Sequence, residues 1–287
     1  MSVYSKKKVL ILVKTYPALS KKYDELVCTA GLTEEGEWIR IYPIPFRLID
    51  YDKQYRKFQW VEVNVIKNDR DYRPESHKVI DIKTIIPGDT IPATPKGWEE
   101  RNRIILKNGP GIYNNLEDLI KQSKKNNTSL GILKPFKVID FVATETEREW
   151  DQAKINTILS NRQQLRLIEN LENDLKTIIK KVPYKFQYVF QDPSGRQYKL
   201  MIEDWEIGVL YWKMYDEYGD ETIAIEKVRK KYFNDFVENP KRELFFFMGT
   251  TLAHHKSASP FVIIGVYSTP KYSLETMNTL FDDLPEE

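Results

Sequence analysis

One cysteine, Cys28, occurs in 287 residues. A single thiol excludes an intrachain disulfide framework and a cysteine-based zinc site. It fits a reducing compartment, so a cytoplasmic protein is expected, and Cys28, in the apolar run Leu26-Val27-Cys28-Thr29-Ala30, reads as a buried structural thiol rather than a nucleophile. No run of about 18 apolar residues is present, which argues against a helix that spans a membrane. Lys6-Lys7-Lys8 followed by Val9-Leu10-Ile11-Leu12-Val13 imitates a signal peptide. The apolar run stops at Lys14, however, and no small-residue cleavage site follows, so it reads as a basic lead-in to a strand. The chain also lacks the Gly-x-x-x-x-Gly-Lys, Gly-x-Gly-x-x-Gly and Gly-x-Ser-x-Gly patterns, against an ATPase, a dinucleotide enzyme and an α/β-hydrolase. Histidine is scarce, with three residues, two of them adjacent at His254 and His255.

What the chain does hold is 41% hydrophobic residues, enough for large cores, and 13% aromatics, including 17 Tyr. Its length suits one large or two medium domains. The net charge of +2 conceals an asymmetry. Residues 1–140 carry 25 Lys and Arg against 18 Asp and Glu, a net +7; residues 141–287 carry 19 against 24, a net −5. A basic first half points to a polyanion, and the acidic second half to a protein partner, unless the split is ordinary surface variation.

The first half reads mainly as strands, over 9–16, 25–32, 37–44, 59–67 and 77–86, with a hairpin turn at Thr33-Glu34-Glu35-Gly36. Two short helices follow, near 98–107 and 116–125, and a last strand over 129–142 bent by Pro135. This pattern predicts a β-barrel-like domain over residues 1–145. Thr146-Glu147-Arg148-Glu149 matches a capping box. Ile155, Ile158, Leu159, Leu165, Ile168, Leu171, Leu175, Ile178 and Ile179 then recur at helical spacing, with a break near Ser160-Asn161. A helical connector over 146–182 is expected. The remainder, 183–287, reads as an α+β domain: a hairpin around Asp192-Pro193-Ser194-Gly195, helices near 205–218 and 221–237, strands near 243–248 and 260–267, and an acidic tail. The fold class is therefore α+β.

Five constellations could carry chemistry. In Trp38-Ile39-Arg40-Ile41-Tyr42, alternation sets Trp38, Arg40 and Tyr42 on one strand face and the isoleucines on the other. With the isoleucines in the core, the other three form a stacking and charge platform for a nucleic acid, joined by Arg47. If the rings are core instead, Arg40 pairs with a neighbour such as Glu25. The loop 68–78 offers Arg70 and Arg73 to phosphates and Glu75 and Ser76 to a base edge. An enzymatic alternative uses Asp69, Asp71 and Glu75, with Lys78 nearby, as ligands of a divalent metal in a nuclease or other nucleic-acid-processing enzyme, the only reading that needs a cofactor. His254 and His255 share a loop from which both could face one pocket as metal ligands or as acid and base. In Glu203-Asp204-Trp205-Glu206, Asp204 is the expected N-cap of the next helix, with a carboxylate site as the alternative. The rings Tyr184, Phe186, Tyr188 and Phe190 share one strand face, either to stack bases or to be covered by helices. The leading function is nucleic-acid binding to RNA, single-stranded DNA or a modified base; a nuclease and a protein–protein adaptor are the alternatives.

The segments Lys14-Thr15-Tyr16-Pro17, Glu25 to Gly31 and Trp38 to Pro43 with Phe46-Arg47 resemble a family of prokaryotic hypothetical proteins. Glu203-Asp204-Trp205-Glu206 and Pro260 to Gly265 look like its C-terminal counterpart. The strand order over roughly 9–145 is similar to PUA/ASCH-like barrels. That resemblance implies a small PUA-, ASCH- or OB-like barrel with RNA or a modified base in its cleft, and assigns no residue.

Overall fold

A computed structural model describes residues 4–20, 24–165 and 178–271. The fold is α+β, with a closed five-stranded barrel at its N-terminal end. The barrel strands are β1 (Ser5–Lys14), β3 (Asp24–Thr33), β4 (Trp38–Ile44), β5 (Gln59–Lys67) and β6 (Ser76–Val79). They pair in the order β1-β3-β4-β6-β5, and β5 returns to β1 to close the ring. All these pairings are antiparallel except β4 with β6, where Arg40 lies beside Ser76 and Ile41 beside His77. Short β2 (Ala18–Ser20) flanks β3, and β7 (Ile86–Thr90) flanks β5.

The period of two explains the barrel. Val9, Ile11, Ile39, Ile41, Val61, Val63 and Val65 fill its interior. Leu10, Leu12 and Val13 point outward from β1 and are equally buried, which is why that strand is apolar without interruption. They pack on a second sheet, β14-β13-β9-β8, through Phe245, Phe247, Ile264 and Tyr267. Its strands are β8 (Ile112–Tyr113), β9 (Leu130–Leu133), β13 (Arg242–Thr250) and β14 (Phe261–Pro270).

A third sheet holds β10 (Lys137–Glu145), β11 (Tyr184–Gln191) and β12 (Gln197–Met201). Between it and β13 lies the second core, closed by α2 (Leu116–Lys124), α4 (Trp205–Tyr218) and α5 (Glu221–Arg229). α1 (Pro95–Asn102) and α3 (Gln152–Leu165) complete the helices used below. The rings of Phe186, Tyr188 and Phe190 are buried in this core, so the aromatic stripe is helix-covered sheet, with Tyr184 half-buried at its end.

Several boundaries move. The expected strand over 129–142 is two strands in different sheets, because the chain leaves β9 at Pro135. β8 pairs with β9, β9 with β13 and β10 with β11, so the strands from 112 onward share their sheets with strands of the second half. Thr146 is not a cap: its N–H donates to the Pro183 carbonyl and prolongs the β10–β11 ladder. α3 starts instead behind Asp151, whose Oδ1 accepts from the Lys154 N–H at 2.9 Å. It runs through Ser160-Asn161 without a break, as an excursion between two paired strands rather than a connector of domains. Ile168, Leu171, Leu175 and the acidic tail lie outside the described residues. The expected strand over 77–86 is β6, a short 3-10 turn and β7. Among the described residues no helix is long and apolar enough to cross a membrane.

Candidate nucleic-acid interface

On β4 the alternation is as expected and its consequence is not. Ile39 and Ile41 face the barrel core. Trp38 and Arg40 face outward, but the second sheet covers that face. Trp38 meets Phe247 edge-on at 6.0 Å, and Arg40 is 3% exposed. The solvent-open platform of Trp38, Arg40 and Tyr42 is therefore corrected: Trp38 packs against the second sheet, Arg40 is buried, and half-buried Tyr42 is the most open of the three where it and the edge of Arg40 border a cavity.

Arg40 belongs to a buried polar cluster that ties the barrel to the second half. Its Nη1 donates to the Thr250 carbonyl at 3.1 Å and its Nη2 to the Ser129 carbonyl and hydroxyl at 3.1 and 3.0 Å. Arg73 donates to the same Thr250 carbonyl and forks onto Asp71, Nε to Oδ1 at 2.8 Å and Nη2 to Oδ2 at 2.5 Å. The Ser76 hydroxyl donates to Asp71 at 2.7 Å. Burial opposes the Asp71 charge, but these donors outweigh it and bring the carboxyl down to about 2. Glu75 accepts from the Ser129 N–H at 2.8 Å, the Ser129 hydroxyl at 2.7 Å and the Thr128 hydroxyl at 2.5 Å. Two guanidinium groups and two carboxylates thus balance. Arg73, Glu75 and Ser76, expected to meet phosphate and base, are instead buried scaffold.

The same geometry disposes of the metal arrangement. Asp71 and Glu75 are committed to protein donors, whereas Asp69 and Lys78 are exposed. Among the described residues no group of three or more His, Cys, Asp or Glu could hold a metal ion. The adjacent histidines part company. His254 is exposed beside the Thr251 hydroxyl, and His255 is buried. His255 Nδ1 lies 2.8 Å from Thr250 Oγ1 and Nε2 lies 3.1 Å from Asn126 Oδ1, so Nε2 carries the proton of a neutral ring. Burial, then the nearby Arg73 charge, lowers its pKa. Arg47 sits at the surface and pairs with buried Glu25 at 2.8 Å, the ion pair expected of Arg40.

Beside this cluster opens a cavity of about 670 Å³. The barrel contributes Cys28, Arg40, Tyr42 and Arg73 to its wall; the second half contributes Trp150, Tyr184, Phe186 and Glu203. Cys28 is half-buried on that wall and accepts from Arg40 at 3.7 Å, which corrects its expected place in the core. Tyr16, at the exit of β1, completes the wall. Its ring lies against Gly208 of α4, where a Cβ would come within 2.3 Å of the ring, and its hydroxyl donates to the Lys180 carbonyl at 2.8 Å. Trp150 is held by a hydrogen bond from Nε1 to the Ile179 carbonyl at 2.7 Å.

Glu203 lines this wall half-buried, and its carboxylate has no partner among the described residues; the Nε–H of Arg40, also without one, is shut off from the open space. The Glu203 neighbours behave differently. Asp204 is the N-cap of α4, as expected, and accepts from the Glu206 N–H. Asp204 and Glu206 also hold buried Lys57 at 2.9 and 3.0 Å; burial opposes that ammonium, and the two carboxylates outweigh it and keep it charged. Glu203 has no such cation, and burial pushes its carboxyl up.

Above the buried cluster three loops meet. The Asn126 amide donates to the Tyr72 carbonyl at 3.2 Å, the Tyr72 ring meets His255 edge-on at 5.5 Å, and Lys256 Nζ lies 5.0 Å from that ring. These loops expose Arg70, Lys125 and Lys256, none with an acidic partner among the described residues. The loop that carries Lys256 also supplies Thr250 and Thr251 to the cavity wall.

Of the residues expected from sequence, Arg40, Tyr42 and Arg73 converge on the cavity, while Trp38, Arg47 and Arg70 lie elsewhere. Tyr16 and Trp150 were not expected at a site, whereas Tyr184 and Phe186 were weighed as base-stacking rings and Glu203 as part of a carboxylate site. Tyr16 stood within a segment conspicuous for its composition, Lys14-Thr15-Tyr16-Pro17.

Residues 5–107 match the family model for a domain of unknown function (DUF8758), and residues 113–285 match that for a second (DUF8757). The second match spans more than half of the chain, which belongs to that family. The limit between the two matches agrees with the sheet topology, in which β8 opens the second half. No curated protein matches the chain.

Proposed function

We propose that this DUF8757 family member is a nucleic-acid-binding protein that takes one unstacked base into the cavity between its barrel and its second half. The observation that carries the reading is the cavity wall itself. Tyr16, Tyr42, Trp150 and Tyr184 offer flat faces, which suit a planar heterocycle. The volume of about 670 Å³ falls within the size of small-ligand sites. Arg70 and Lys256, on loops that also line this wall, and Lys125 on the loop beside them supply cations with no acidic partner among the described residues for the backbone of a strand. Single-stranded RNA or DNA fits better than duplex, because a stacked and paired base cannot enter a cavity. On this reading the barrel works in the manner of PUA/ASCH-like barrels, presenting a ligand at its outer wall.

The test is a titration with single-stranded RNA, single-stranded DNA and duplex DNA at two salt concentrations. Single strands bind, more weakly at the higher salt, and Trp150→Ala weakens binding by about 5- to 150-fold, the value of one stacked base. Absence of binding to all three at low salt, or equal binding by Trp150→Ala, overturns the reading.

A further inference from the structure

We propose that Glu203 is the base-reading group of the cavity and that the base it selects is guanine. This rests on the base-binding reading above. Glu203 is pinned by its backbone: its N–H donates to the Ile263 carbonyl at 2.8 Å, and its carbonyl accepts from the Tyr16 N–H at 3.1 Å. On one side Ile202 is buried in the second core, and on the other Asp204 caps α4. A fixed backbone carries the carboxylate to a fixed place on the cavity wall.

That half-buried carboxylate differs from the buried acids around it. Asp71 has Arg73, Glu75 has Ser129 and Thr128, Glu25 has Arg47, and Asp204 has Lys57. Glu203, half-buried, is the member of this set that lines the cavity with its acceptors unused among the described residues, so they are free to take donors from a ligand.

Rings on the same wall require that ligand to be flat, and a carboxylate requires adjacent N–H groups. Guanine has N1–H and the 2-amino group side by side on its Watson–Crick edge, which meets both oxygens of one carboxylate. Adenine and cytosine offer an amino group beside an acceptor nitrogen, and uracil flanks its single N–H with two carbonyls that repel the carboxylate. A paired edge is normally worth about 5- to 150-fold in discrimination.

Calorimetric titration with the 5′-monophosphates of guanosine, inosine, adenosine, cytidine and uridine tests this. Inosine keeps N1–H and lacks the 2-amino group, so it isolates half of the contact. GMP binds tightest, at least fivefold above IMP. E203Q, which retains the shape of the side chain, abolishes that preference. Cys28, the only cysteine, lines the cavity, and its alkylation by iodoacetamide locates the ligand: GMP slows it in the parent protein. Equal affinity for the five nucleotides, or a GMP preference that persists in E203Q, overturns the role of Glu203 and leaves the cavity a base site. Failure of every nucleotide to bind at millimolar concentration overturns both readings.

Discussion

The buried cluster around Arg40 and the cavity beside it are built from the same kinds of residue and differ in one respect. In the cluster nearly every donor and acceptor has a protein partner: Arg73 forks onto Asp71, Glu75 takes three donors, and one Thr250 carbonyl serves two arginines. On the cavity wall the carboxylate of half-buried Glu203 has none among the described residues. Balanced polar groups hold a scaffold, because removing one strands its partner. Unbalanced groups beside open space await a ligand. Residue type and proximity to the barrel do not separate the two regions; hydrogen-bond satisfaction does.

The largest effect that would break this comparison is on stability. Arg73→Ala leaves Asp71 buried without its cation and should cost about 3–5 kcal/mol, read as a loss in chemical denaturation. A change within about 0.5 kcal/mol would mean that the cluster is no scaffold. On the cavity side the effects reverse. Tyr42→Ala should leave stability within about 1 kcal/mol of the parent and weaken single-strand binding by about 5- to 150-fold. Unfolding without a selective binding defect would move Tyr42 into the scaffold.

Acid sharpens the division. The folded Asp71 carboxyl titrates near pH 2 rather than at its ordinary value, so its stabilisation is complete above about pH 4 and is lost as pH falls toward 2. His255 has its pKa lowered by burial, so the unfolded chain takes up the proton first and stability also falls as pH drops below about 6.5. Denaturation midpoints from pH 7 to 2 should show both phases, and Asp71→Asn should remove the lower one. Glu203 works the other way: its raised carboxyl lowers stability at neutral pH and this penalty fades as pH falls toward the ordinary carboxylate value, so Glu203→Gln should raise stability at pH 7 and leave the Asp71 phase in place.

How much of this was legible beforehand varies with the physics. The period of two on β4 identified the faces of Trp38, Arg40 and Tyr42, and the turns at Gly36 and Asp192–Gly195 fixed two hairpins. A strand pattern cannot say what covers its outer face, and β13 covers this one from two hundred residues away in sequence. For the same reason the loop Asp71–Ser76 looked solvated: its charges are cancelled by one another and by Ser129 and Thr250, not by sequence neighbours alone. The capping pattern at Thr146 failed because the backbone there had a better partner in Pro183. Asp204 was legible because an N-cap is local, whereas the orphan state of Glu203 next to it depends on which chain segments stay away.

The smallest expected effect concerns the exposed loops. Replacing Arg70, Lys125 and Lys256 together with Gln should leave stability within about 0.5 kcal/mol. It should reduce the slope of log affinity against log salt for a single strand by about 2, near 0.7 for each phosphate contact. An unchanged slope would place the strand elsewhere on the surface.

Cys28 permits the most direct test, since it is the only thiol and lies on the cavity wall beside Arg40. The rate of its alkylation is measured with and without a single-stranded oligonucleotide, at low and at high salt. Protection at low salt that disappears at high salt is the predicted result. An alkylation rate indifferent to an oligonucleotide shown by titration to be bound would contradict the claim that a base enters this cavity.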